Sequence, residues 1–219
     1  DIEPAMERVF AAAKQKLIVA CFASHVHRVQ QVMDAAVRHG RKVVYVGRSM
    51  VRNMGVARDL GYLHVPENTL IDLKQIENFR DDQVVIISTG SQGEPLSALS
   101  RISNHEHPVV TAGEGDVVLL ASSLIPGNEN SVYRVINGLA GNGVTVVHKG
   151  NALVHVSGHA SAGELLYCYN LLQPRNVLPV HGEVRHLIAN AKLAQATGVP
   201  AANTIVVEDG AVIDLAKGR

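Results

Sequence analysis

The chain has 219 residues, 47% of them hydrophobic and 18% charged, with 20 basic and 20 acidic residues. That apolar content excludes a disordered chain, and the lack of a repeat excludes a fibrous one. Cys21 and Cys168 are too far apart for a CxxC metal site and too few for a disulfide scaffold, and no apolar run nears the roughly 20 residues of a membrane span.

In chain order, strands alternate with helices. Asp1–Phe10 is polar and helix-like, and Leu17–Ser24 is an apolar run of strand length. Helical spacing follows through Val26, Val29, Val32, Met33, Ala36 and Val37, and Gly40 ends it. Val43–Gly47 reads as a strand, followed by a helix up to Gly61. Val84–Ser88 is a third strand and runs into Thr89-Gly90-Ser91-Gln92-Gly93, with Pro95 suited to the first turn of a helix through Ile102.

Asp116–Ser122 reads as a strand, and Pro126-Gly127-Asn128-Glu129 as a turn into a helix around Val132–Leu139. Val144–His148 and Leu153–Val156 are two further strands. Ser161–Leu172 is a helix whose Ser161 and Glu164 have capping-box spacing. Asn176–Val180 is a strand ending at His181-Gly182-Glu183, and a helix runs to about Ala196. Thr204–Val207, Asp209-Gly210 and Ala211–Leu215 spell a hairpin. Continuous apolar strands separated by helices predict an α/β fold, a mostly parallel sheet with helices on both faces. A domain boundary is expected at Lys149–Leu153.

The zero net charge hides an asymmetry. Residues 1–80 carry 12 Lys/Arg against 8 Asp/Glu, a net of +4, and residues 81–219 carry the reverse, 8 against 12. Six basic residues and no acidic one lie from Arg38 to Arg58, which is either a solvated face or a phosphate-facing patch. Within it Arg48 and Arg52 are one helical turn apart and share a face.

Eleven histidines raise the question of a metal. His25-Val26-His27 begins like HxHxDH, but Val29 stands at the Asp position. His105-Glu106-His107 is not HExxH, and His181 and His186 are five apart. Local spacing therefore assembles no three-ligand zinc site. Two histidines stand apart by position. In Val156-Ser157-Gly158-His159-Ala160-Ser161 a strand gives way to a capped helix, which offers free N–H groups, two hydroxyls and an imidazole to an anion. His181 follows a strand end, where ligands of α/β sheets bind. Ser88-Thr89-Gly90-Ser91-Gln92-Gly93-Glu94 also leaves a strand for a helix. It is neither a Walker loop nor GxGxxG, and reads as an ordinary turn or as a cradle for a phosphodiester.

Taken in order, several long motifs carry a resemblance. These are Phe22-Ala23-Ser24 with Arg28, Ser88-Thr89-Gly90-Ser91-Gln92-Gly93-Glu94-Pro95, Pro126-Gly127-Asn128-Glu129, His155-Val156-Ser157-Gly158-His159-Ala160-Ser161, and Pro179-Val180-His181-Gly182-Glu183 with Arg185-His186. They span nearly the whole chain. The sequence resembles bacterial ribonuclease J, of the β-CASP branch of the metallo-β-lactamase superfamily.

The resemblance implies that residues 1–152 form a β-CASP domain and residues 153–219 the C-terminal part of a metallo-β-lactamase domain. The family's HxHxDH motif precedes the β-CASP insert and is not in this sequence. With no initiator Met, a fragment of a longer protein is expected, inactive alone and lacking the N-terminal half of its hydrolase domain.

The implied intact enzyme is a cytoplasmic two-zinc ribonuclease, a 5′→3′ exonuclease and endonuclease on single-stranded RNA, with no membrane partner. A homo-oligomer is compatible with it. His181 resembles the family's last metal ligand, and His159 the histidine that contacts the scissile phosphate. Ser157 and Ser161 would hold the terminal phosphate, and Ser91, Gln92, Gly93, Glu94, Arg48 and Arg52 would contact RNA. The alternative is a stand-alone, non-catalytic nucleotide- or phosphate-binding or interaction module.

Overall fold

Alternation of buried side chains decides how the strands are used. A computed structural model describes residues 2–214. It places β1 (Leu17–Ala20), β2 (Lys42–Val46), β3 (Val84–Ser88), β4 (Val117–Leu120) and β5 (Thr145–Val147) in one sheet of order β2-β3-β1-β4-β5. Every pairing is parallel. Leu17, Val19, Val43, Val85, Ile87, Val117 and Leu119 point into one core, and Ile18, Ala20, Val44, Val84, Ile86, Val118 and Leu120 into a second. Both faces are covered, so β1 and β4 are apolar throughout instead of alternating with polar residues.

The helices divide between these cores. α1 (Glu3–Ala12), α2 (Val26–Arg38) and α3 (Arg48–Asp59) pack on one face through Met6, Phe10, Val29, Met33, Met50 and Met54. α4 (Ala98–Ser103) and α5 (Glu129–Gly141) cover the other through Leu99, Ile102, Val135 and Leu139. Right-handed crossovers require this: helices that carry the chain one way along the sheet share a face, and those that carry it back take the other. The reversal occurs after Leu70, which bridges Val43 beyond β2. The return to β3 runs over the second face in a 3-10 turn, Leu73–Asn78, whose Leu73 and Ile76 join the second core.

At the amino edge of the sheet, buried Asp116 accepts the Lys16 and Gly113 N–H groups, each at 3.0 Å, and pairs with Lys16 Nζ at 3.4 Å. Buried Arg41 donates to the carbonyls of Gln15, Val84 and Ala13. The carboxyl edge carries the loops of functional interest.

The chain divides after Val156 into two compact units. The second contains α6 (Ala162–Leu172) and α7 (Val184–Ala196), with Val177, Ala194 and Val199 as its small core and Tyr169 packed on it. Tyr169 donates its hydroxyl to Asn190 Oδ1 at 2.7 Å, and burial raises its pKa.

The fold departs from the sequence reading in four places. Leu153–Val156 forms no strand, and the Val154 N–H instead meets the Ala152 carbonyl at 2.9 Å, so His155 lies on no strand, and His148 follows β5. Asn176–Val180 forms only one bridge, Val177 to Thr204 in parallel. The turn at Asp209-Gly210 does form, with Ala211 N–H on the Glu208 carbonyl at 3.2 Å. Its arms do not pair among the described residues, and Leu215 lies outside them. Finally, α4 starts at Ala98, not at Pro95, because Ser97 accepts the Ser100 N–H and caps it. An apolar run shows that a segment wants burial, whereas a strand also needs a neighbour for its backbone groups.

Candidate functional site

The second unit brings His159 and His181 together. Their rings stack, with centroids 5.4 Å apart and planes 13° from parallel. The turn carrying His159 is held by Ser157, whose Oγ accepts the His159 N–H at 3.1 Å. Ser161 then caps α6: its Oγ accepts the Glu164 N–H at 3.4 Å, and the Glu164 carboxylate accepts the Ser161 N–H at 2.6 Å. That backbone N–H holds Glu164 below the ordinary carboxylate range. Both serine hydroxyls accept a backbone N–H, and the Ser161 hydroxyl also bonds the Glu164 carboxylate, so Ser157 is the one whose proton is left to donate. The N–H groups of Gly158 and Ala160 have no backbone acceptor among the described residues. An anion at this turn would meet the Ser157 hydroxyl, two N–H groups and an imidazole.

His181 takes up a backbone conformation at φ +63°, in the left-handed region. For a residue with a side chain this costs on the order of 1 kcal/mol or more, and such outliers gather at functional sites. Glu183, at the start of α7, donates its N–H to His186 Nδ1 at 3.2 Å, so His186 is occupied in the cap of that helix.

The first unit gathers its candidates at the carboxyl edge of the sheet. Arg48 and Arg52, both exposed on α3, line one groove with Tyr45, Leu70 and Asp72. The loop after β3 differs from a simple cradle: Ser91, Gln92 and Gly93 are buried, and Glu94 is exposed. Gln92, 4% exposed, donates to the Ser123 carbonyl at 2.9 Å and to Ser122 Oγ at 3.2 Å, and accepts the Ile125 N–H at 2.9 Å. Its amide braces this loop against the one after β4. Gly93 has φ +71°, and a Cβ there would stand 2.4 Å from the Ser131 backbone.

Three residues that the sequence reading gave no role prove well placed. Arg28, 4% exposed at the start of α2, donates to the Val154 carbonyl at 3.2 Å, while its Nε is buried without a partner. Burial lowers its pKa. Arg101 and His107 line a cleft with Arg48. An arginine beside an apolar helical stripe was the signal for Arg28. For Arg101 and His107 there was none, since the cleft is made by residues distant in sequence.

Among the described residues no group of three or more His, Cys, Asp or Glu side chains could hold a metal ion. A catalytic zinc needs about three protein ligands. The stacked pair offers two imidazoles, so these residues do not by themselves compose a zinc centre. Among the same residues no helix is long and apolar enough to cross a membrane.

Residues 14–139 match the family described as "Ribonuclease J, beta-CASP domain". The chain belongs to the ribonuclease J β-CASP family. Residues 143–206 match a second family, "Zn-dependent metallo-hydrolase RNA specificity domain", whose span includes both stacked histidines. All 219 residues are 55% identical to a ribonuclease J of Mycolicibacterium smegmatis, covering 39% of that protein. The identity is 44% to one from Synechocystis, covering the whole chain and 34% of that protein. It is 37% over 214 residues to one from Helicobacter pylori, covering 98% of this chain and 31% of that protein. The chain thus spans between 31% and 39% of the length of these ribonuclease J relatives.

Proposed function

We propose that this chain is part of a cytoplasmic, zinc-dependent ribonuclease that hydrolyses phosphodiester bonds of single-stranded RNA, as a 5′→3′ exonuclease and as an endonuclease. Residues 1–152 serve as its β-CASP domain and residues 153–219 as the C-terminal part of its hydrolase domain. The observation that carries this reading is the His159–His181 stack beside a capped helix start, inside a span that matches a metallo-hydrolase RNA specificity domain.

In this reading Ser157 donates its hydroxyl proton to a nonbridging phosphate oxygen, and Ser161 does so by turning its own away from the Glu164 carboxylate. His159 donates a hydrogen bond to the oxygen on which charge develops, or a proton to the departing one. His181 holds one face of the His159 ring and so fixes its direction. It also supplies one donor toward zinc, with further ligands coming from the rest of the intact protein. The loop braced by Gln92 presents Glu94, and α3 presents Arg48 and Arg52, to the RNA backbone. With aromatics at 4% and no tryptophan, this part binds RNA by phosphate contacts more than by stacking.

The test separates the two histidines in the intact protein. His159→Ala keeps zinc per chain near normal and lowers turnover by roughly 10²–10⁴-fold, the range for a lost general acid or charge-stabilising donor. His181→Ala lowers zinc per chain, and activity falls with it. Equal metal loss in both variants, or a fully active His159→Ala, overturns the assignment.

A further inference from the structure

The second core does not close completely beside β4 and β5. Leu120 at the end of β4, Leu124 beyond it, and Val132 and Ile136 on α5 belong to that core or pack on it. The same four side chains wall a cavity of about 320 Å³, at the lower end of the size range of small-molecule sites. The ring of Tyr133, also on α5 and 51% exposed, forms part of the lining. α3, which carries Arg48 and Arg52, follows β2 at the opposite end of the sheet.

Two buried serines give this apolar wall polar points. Ser91 is 4% exposed, and its hydroxyl has no hydrogen-bond partner among the described residues. Ser122, 7% exposed, accepts Gln92 Nε2 at 3.2 Å and keeps its own proton. Buried hydroxyls without an acceptor are costly, and an oxygen placed in the cavity relieves that cost.

The turn after β5 supplies further donors. Asn151 Oδ1 accepts the His148 N–H at 2.8 Å, and His148 Nδ1 accepts the Gly150 N–H at 3.2 Å. The neutral ring therefore carries its proton on Nε2, as a donor of fixed position. This turn depends on a glycine, since a Cβ at Gly150 would stand 2.7 Å from His148 Cε1. Between the two, exposed Lys149 pairs with no carboxylate among the described residues. The lining itself holds no acidic residue.

These features select a ligand. Aliphatic walls beside a tyrosine suit a flat apolar body. The serine hydroxyls call for an oxygen acceptor on it, and Lys149 for one negative charge. A single lysine without an arginine gives a polyanion little hold, because bidentate recognition of phosphate is the work of guanidinium groups.

We infer that this cavity binds a small aromatic carboxylate that bears a second oxygen, with the ring against Tyr133 and Ile136, the carboxylate on Lys149 and the second oxygen on the serine hydroxyls. The ligand is a free small molecule, distinct from the RNA of the proposed reaction. The inference does not depend on the role of His159.

The test uses the intact protein carrying His159→Ala, so that added RNA persists, and calorimetry with 6-hydroxy-2-naphthoate as the probe. Lys149→Glu and Tyr133→Ala are each expected to weaken its binding at least tenfold with an unchanged melting temperature. Both positions are exposed, so the substitutions read the cavity without disturbing the core. 2-Naphthol, which lacks the carboxylate, is expected to bind the parent at least tenfold more weakly than the acid and to lose nothing further in Lys149→Glu. Saturating oligoadenylate is expected to leave the affinity for the acid within twofold. No binding of the acid to the parent, equal affinities in parent and either variant, or equal binding of 2-naphthol and the acid overturns the inference. Displacement of the acid by oligoadenylate also overturns it, and gives the cavity to a base of RNA. Zinc content and turnover of His159→Ala test the other reading separately.

Discussion

Gln92 Nε2 lies 2.9 Å from the Ser123 carbonyl oxygen, and this one amide joins the loops that leave β3 and β4. Its Oε1 accepts the Ile125 N–H at 2.9 Å, so both ends of the amide are used. Gln92→Ala leaves these partners unpaired in a half-buried place and should cost about 1–3 kcal/mol of stability, measured by urea unfolding. Gln92→Glu keeps an acceptor for Ile125 and loses the donor for Ser123, so it should also destabilise at neutral pH. Wild-type stability in both would show that the brace carries no energy.

Gly93 sits against the Ser131 backbone at φ +71°. Gly93→Ala should destabilise by about 3 kcal/mol, from overpacking and the left-handed backbone together. Gly113→Ala is the control: a Cβ there meets nothing within 4 Å and the backbone is not left-handed. It should change stability by less than about 0.5 kcal/mol. Similar melting temperatures for the two variants would refute the packing assigned to Gly93.

Arg48 and Arg52 line one groove on α3. Reversing both charges in the intact protein should weaken binding equally for unrelated single-stranded RNAs. The slope of log K against log salt should flatten by about 0.7 for each phosphate that the protein no longer neutralises. An unchanged slope would make this a solvated face.

Three histidines should make the fold acid-sensitive. His25, His107 and His155 all titrate below the usual 6.5, first because of burial and then because of nearby arginines, Arg28 for His25 and His155, and Arg101 for His107. In the window between the folded value and 6.5 the unfolded chain binds protons that the folded chain does not. Stability therefore is complete above 6.5 and is lost as pH falls through the folded values. Melting temperature should drop as pH is lowered from about 7 to 5, and His155→Gln should remove part of that slope. Glu7 acts at lower pH: its hydrogen bonds to His39 and Arg38 hold it below 4.5. A flat profile from pH 7 to 5 would contradict the histidine contribution.

Much of the fold was legible, for reasons that particular residues show. Val84–Ser88 is a strand with the bounds read from sequence, because five apolar or small residues lie between Gln83 and Thr89-Gly90. The start of α6 was legible in Ser161 and Glu164, since a capping box is local chemistry. Leu153–Val156 and Asn176–Val180 were misread because apolar runs do not name their partners. The sites were legible as loops, not as directions. Gln92 in a glycine-bearing turn looks the same whether it faces solvent or the interior. The proximity of Arg101 and His107 to Arg48 depends on how α3 and α4 are placed by the sheet.

The bond from Arg28 to the Val154 carbonyl spans 126 residues and closes the first unit between its first crossover and its last residues. A buried guanidinium without its acceptor is costly. During synthesis, at roughly 5–20 residues per second, the five strands are all translated before Val154 is made. The sheet can therefore be paired while Arg28 still has water as its partner, and α2 settles last at its amino end. A released chain that ends just short of Val154 should be protected from protease in its strands and still open around His25.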